Sequence, residues 1–158
     1  DLAENLGVDP QKAYLAGLVH DIAKEFTHEE NTLWVNKYNL SKDLLLESNH
    51  KIIHADVGAV YVKEQYGFDD EICMAVRYHT IGNPNMSTFD KIIYIADKIG
   101  RKDKDEFVMN LKKIAYEDID KAVYVFLLHQ KEKFDKKNKS LSNSTLELLN
   151  LLQDKYSK

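Results

Sequence analysis

A single cysteine, Cys73, among 158 residues excludes an internal disulfide. The fold therefore has to rest on an apolar core, and a reducing compartment suits it. Proline and glycine are scarce, at two and six residues, which excludes collagen-like and low-complexity chains. No apolar run approaches the roughly 18 residues that a membrane helix requires. The chain opens on Asp-Leu-Ala-Glu-Asn, with neither an initiator methionine nor the basic and apolar stretches of a signal peptide, so Asp1 is expected to lie inside a helix that began earlier. Positive charge is not in excess: 22 Lys and Arg against 26 Asp and Glu leave a net charge of −4. A nucleic-acid backbone, which calls for a basic face, is not the expected partner. Period-two alternation of convincing length is missing as well, so the expectation is an all-α fold, one domain over residues 1–158, cytoplasmic and without a membrane partner.

What is present is a series of helix signals. Asp9-Pro10 predicts an N-cap and a helix running to about Ala23. Gly7 and Gly67 read as helix stops. Thr27 and Glu30 form a capping box, and Ser41 is expected to cap a short helix through Leu46. A helix is predicted from His54 to Tyr66, and another from Asp69 or Asp70 to about His79. Ser87 and Asp90 open an apolar helix ending near Ile99. Residues 81–85 are the clearest irregular segment, and residues 101–106 read as a charged, exposed connector. Two further helices are expected, over 118–133 and 144–156. The aromatic set Trp34, Tyr38, Tyr61, Tyr66 and Tyr94 is assigned to the core, Cys73 to an apolar helix, and His28 and His129 to surface or packing positions.

The chemistry is concentrated in His20-Asp21, followed by Lys24, His54, His79 and Asp97. Adjacent residues on a helix are turned by about 100°, so His20 and Asp21 cannot share a helix face. From a helix C-terminus both can still reach one metal ion. Imidazole with carboxylate suits Fe, Mn, Co, Ni or Zn, whereas Mg and Ca favour oxygen shells. Asp97 ends the apolar run Ile92-Ile93-Tyr94-Ile95-Ala96, where a buried carboxylate is costly without a cation.

The segments A-G-L-V-H-D-I-A-K (16–24), I-I-H-A-D-V-G-A (52–59), A-V-R-Y-H-T-I-G-N-P-N-M-S (75–87) and D-K-I-I-Y-I-A-D-K-I (90–99) resemble the HD-domain metal-dependent phosphohydrolases. Within them, the stretch around Tyr78-His79-Thr80 is most similar to the bacterial YqeK-type enzymes, symmetrical diadenosine tetraphosphate hydrolases. The likeness covers most of residues 3–100 and fades after Gly100 to helix patterning, the C-terminal helices from about 107 being less family-like. The resemblance implies an HD-domain helical bundle with two divalent transition-metal ions, iron first, with Mn, Co or Ni as alternatives. One metal would take His20, Asp21, Asp97 and a further histidine expected upstream of Asp1. The second would take Asp21 as a bridge, with His54 and His79. The implied reaction is attack of a metal-bound hydroxide on diadenosine tetraphosphate, giving two ADP.

Beside these ligands, Lys24 follows His20 by four residues and Asp21 by three, a helical turn that would set its charge against phosphate. The plain alternative is a helix-end lysine favoured by the macrodipole. Thr80, Asn83 and the Gly82 backbone are candidate substrate contacts, or ordinary turn chemistry. Arg77 and Lys98 flank the ligands as phosphate candidates or surface residues. Arg101 takes the place of an arginine that the family carries after Glu-Pro, two positions early. His50, four residues before His54, is an outer or substrate-side candidate. The expected partner is a small-molecule nucleotide, with a homodimer as the other association considered. Rival readings are an HD phosphohydrolase for a deoxynucleoside phosphate or guanosine alarmone, and a non-catalytic nucleotide- or partner-binding helical module.

Overall fold

Short polar side chains start most of the helices. The computed structural model describes residues 2–100 and 105–156, and among these it contains nine α-helices and no strand. They are α1 (Leu2–Asn5), α2 (Pro10–Val19), α3 (His28–Lys37), α4 (Ile53–Tyr66), α5 (Asp70–Tyr78), α6 (Thr88–Ile99), α7 (Glu106–Glu117), α8 (Ile119–Lys136) and α9 (Asn143–Tyr156). Asp9, Asp69, Asp105 and Asp118 accept backbone N–H bonds at the starts of α2, α5, α7 and α8. Thr27 with Glu30, and Ser87 with Asp90, close full capping boxes on α3 and α6. Gly67 ends α4 at φ 65°, a left-handed conformation that an L side chain would resist.

Three expectations need correction. Helix α2 stops at Val19 rather than Ala23, because residues 20–26 switch to i→i+3 turns: Ile22 N–H bonds Val19, Lys24 bonds Asp21 and Phe26 bonds Ala23. The segment after Ser41 is only a 3₁₀ turn over Lys42–Leu45, and Ser41 makes no side-chain cap. Helix α7 was not anticipated, although Phe107, Leu111, Ile114 and Ala115 trace one helical face; Leu111 and Ala115 are buried. Of the connector, Asp105 and Glu106 are exposed, while 101–104 lie outside the described residues.

Helix α6 is the spine. Its Phe89 and Ile93 pack with Ala16 of α2 and with Ile72 and Ala75 of α5. Its Ile92, Tyr94 and Ile95 pack with Leu111, Val123, Leu127 and Leu148 of α7, α8 and α9. Burial on both sides explains its near-continuous apolar sequence. Helix α4 lies along α5, and α3 covers α4. At Gly58 the approach of α4 to α5 is close but not forced by glycine: an added Cβ would stand 3.4 Å from Val76 Cγ1 and 3.7 Å from Ala23 Cβ, ordinary contact distances. Trp34, Tyr38 and Tyr61 form an aromatic cluster, with Trp34 and Tyr38 stacked at 5.8 Å. Tyr66 does not join the core; it is exposed at the end of α4. Cys73 is buried, and its Sγ faces the Phe68 carbonyl. No helix among the described residues is long and apolar enough to cross a membrane.

Candidate metal centre and its cleft

His20 and His79 occupy equivalent positions, each the first residue past a helix, α2 and α5 respectively. In each, Nδ1–H donates to the carbonyl three residues earlier, Gly17 at 2.5 Å and Val76 at 2.6 Å. A carbonyl only accepts, so it fixes the ring proton on Nδ1 and turns Nε2 inward. The early end of α2 is what frees Asp21 to face the same point as its neighbour. Both helix C-termini also favour a cation.

Asp21 joins the donors. Its Oδ1 lies 3.2 Å from Nε2 of both His54 and His79, and its Oδ2 lies 3.2 Å from Nε2 of His20. His54 and His79 bring their Nε2 atoms within 3.1 Å of each other. On the far side of His20, Asp97 Oδ1 lies 3.1 Å from Nε2. The structure thus brings together all five side chains singled out from sequence, and the two Asp21 oxygens face different histidines. Possible ligand atoms of His20, Asp21 and His79 fall within 4.8 Å of one another.

Electrostatics sharpen this. Burial pushes His79 down to about 4, so the ring is neutral near pH 7. Burial lowers His54 as well. His20 is raised, chiefly by its hydrogen bond to Asp97. Burial opposes the charge on Asp97, yet the His20 hydrogen bond and the Lys98 ammonium hold its carboxyl well below the usual range. With His79 neutral and protonated on Nδ1, the Nε2 lone pair meets the Asp21 carboxylate with no proton between them. Acceptor against acceptor at 3.2 Å is a contact that a divalent cation resolves. Imidazole nitrogens with carboxylate oxygens are a donor set that fits a divalent transition metal.

Lys98 has a role that the sequence reading missed. It is buried, not a surface group, and Nζ donates to the His79 carbonyl at 2.8 Å and to Asp97 Oδ2 at 3.3 Å. It also lies 4.0 Å from the Tyr94 ring centroid. One ammonium thereby positions ligands from two helices. Arg77 instead pairs with Asp56 at 3.1 Å.

A cleft of about 720 Å³ opens over the cluster, and Lys24, Thr80, His50 and Lys51 line it, with His129 and Lys133 facing from α8. Gly82 and Asn83 do not line it. The Gly82 carbonyl and the Asn83 amide hold Ser144 of α9, at 2.8 and 3.4 Å, and Asn83 Oδ1 caps Asn85 N–H. Arg101 lies outside the described residues. His129 stacks on Phe107 with centroids 3.8 Å apart, at the cleft wall rather than on a remote surface. Phe126, His129, Gln130 and Lys133 follow helical spacing, a signal present in the sequence; only the packing reveals that this face of α8 meets the cleft. Of the aromatic set, Tyr94 alone lines it.

The chain is similar to several known proteins. The HD domain family model matches residues 1–102. The chain is 36% identical over 153 residues to a symmetrical bis(5'-nucleosyl)-tetraphosphatase of Halalkalibacterium halodurans, covering 96% of this chain and 81% of that protein. It is 37% identical over 124 residues to the Bacillus subtilis protein of the same name, covering 78% and 66% respectively. A solved structure from Clostridium acetobutylicum, described as a predicted HD superfamily hydrolase involved in NAD metabolism, superposes with a TM-score of 0.86. That match is 32% identical and covers 98% of this chain and 82% of the other.

Proposed function

We propose a function from one premise: this chain belongs to the HD domain family of metal-dependent phosphohydrolases. Its reaction is the symmetrical hydrolysis of diadenosine tetraphosphate to two ADP, in a cytoplasmic setting. The observation that carries the metal-dependent part is the lone pair of His79 facing the Asp21 carboxylate at 3.2 Å. The activity named for the 36%-identical relative carries the choice of substrate.

His20, Asp21 and Asp97 would hold one divalent ion, and Asp21, His54 and His79 a second, with iron the first candidate and manganese next. Bound there, the ions supply Lewis-acid activation of water and of a phosphoryl oxygen. Lys98 keeps the His79 backbone and the Asp97 carboxylate in place. Lys24 and Thr80, at the cleft wall, hold the phosphates. The Lys24 ammonium makes no ion pair among the described residues and meets negative charge that grows as the scissile bond lengthens. The oxygen of water bonds to phosphorus, the central bridging P–O bond breaks, and the departing ADP takes the electron pair while a proton is released.

Chromatography of the nucleotide products tests this reading on protein loaded with iron or manganese. ADP as the only nucleotide product is expected. AMP with ATP would overturn the bond assignment. Turnover of a deoxynucleoside phosphate or guanosine alarmone, with none of the dinucleotide, would overturn the substrate.

A further inference from the structure

Lys24, His50 and His54 line two cavities at once. One is the cleft over the His–Asp cluster, about 720 Å³ in volume, which extends toward α6, α7 and α8. The other, about 410 Å³, lies between α3, α4 and the turns of residues 42–49. Both volumes fall in the roughly 300–1,000 Å³ range of small-molecule sites. The three shared residues form a ridge, and His54 on that ridge is also 3.2 Å from Asp21.

We propose that the smaller cavity is a second nucleoside subsite, so that the polyphosphate crosses the ridge and each ADP half lies on its own side. The proposal rests on the dinucleoside tetraphosphate reading above. A substrate with identical nucleosides at both ends, cut in the middle, places equal halves on either side of the central bridging oxygen. The larger cleft, which extends from the cluster toward α6, α7 and α8, houses one half and leaves the other, beyond the ridge, without a wall. The second cavity supplies that wall, adjoining the cluster through His54.

Its lining suits a flat, partly polar base. Phe26, Leu44, Leu45 and Ile53 provide apolar faces, and Glu47 and Asn31 provide acceptors. Asn31 is buried, and its Oδ1 has no hydrogen-bond partner among the described residues. A buried acceptor left unmatched calls for a donor, and the 6-amino group of adenine is one. Lys24, common to both cavities, is then placed where the phosphate chain passes from one to the other, which suits a charge-neutralising role on either half.

Equilibrium binding of ADP to the metal-loaded protein tests the idea without relying on turnover. Wild type is expected to bind two ADP per chain at saturation. Leu45→Trp, which fills the smaller cavity, is expected to bind one and to lose about tenfold or more in kcat/KM for the dinucleotide. Thermal melting of the variant checks that it folds, and the wild-type stoichiometry stands by itself if it does not. One ADP per chain in wild type, with dinucleotide turnover intact, overturns the second subsite alone. Two ADP retained in a folded Leu45→Trp protein also overturns it. No ADP bound at all overturns the nucleotide reading beneath it.

Discussion

His79 Nε2 and Asp21 Oδ1 stand 3.2 Å apart, and both atoms are acceptors. The Val76 carbonyl holds the only ring proton of His79 on the opposite nitrogen, at 2.6 Å. Without a cation the pair is repulsive, and a divalent ion held by the two side chains would relieve that repulsion. Stability and activity should therefore both depend on metal.

Removing metal should lower thermal stability, because the ion binds the folded cluster and no equivalent site exists in the unfolded chain. At a free metal concentration about 100 times Kd, the stabilisation is about 2.7 kcal/mol. For a chain of this length that corresponds to roughly 5–10 °C in Tm. Calorimetry with and without chelator checks it, and equal melting temperatures on protein first confirmed to hold metal would contradict it.

Lys24→Ala should lower kcat by about 10²-fold with little change in KM, because the ammonium meets charge that develops in the transition state. A rise in KM with kcat unchanged would mean that Lys24 binds ground-state phosphate only.

Lys98→Met should weaken metal affinity or activity by about 10–100-fold, the usual cost of losing a group that orients ligands. The buried ammonium grips the His79 carbonyl and the Asp97 carboxylate, so its loss loosens both helices at the cluster. Metal titration followed by isothermal calorimetry would register the change even where turnover is too slow to follow. Unaltered affinity and activity would sink the positioning role.

Asp120 gives a pH prediction away from the cluster. Burial disfavours its charge, but hydrogen bonds from Lys155 and Lys91, both at 2.7 Å, outweigh burial and hold its pKa below the ordinary 3.8. A depressed carboxyl contributes stability above its unfolded pKa and loses it as pH falls through the folded one. Asp120→Asn should therefore cost about 1 kcal/mol at pH 7, and the cost should shrink as pH falls below the ordinary carboxylate range. Urea unfolding of both proteins across that range measures the difference. A cost that grew on acidification would reverse the sign.

Much of the fold was legible because the caps are local. Thr27 with Glu30, Ser87 with Asp90, and Asp9 with Pro10 announce their helices within four residues. The end of α2 was not legible, since the switch to i→i+3 turns at Val19 serves the placement of Asp21, a tertiary demand. Helix α7 escaped notice because its charged flank obscured the stripe through Leu111 and Ala115. The five donors could be picked out by residue type and by resemblance. Lys98 could not: a lysine beside an aspartate at a helix end reads as solvated, and only packing under α8 shows it buried. Gly82 and Asn83 sat in the right loop, yet their side of it faces α9. An added Cβ on Gly82 would stand 2.8 Å from Leu148 Cδ2.

Anomalous diffraction from crystals grown with manganese tests the central claim most directly, that Asp21 bridges metal ions held by the four partner side chains. The account predicts density on both sides of the Asp21 carboxylate, one peak toward His20 and Asp97 and the other toward His54 and His79. Asp21→Ala should lose both. Metal bound elsewhere, with these five side chains unliganded in protein shown to contain manganese, would contradict it.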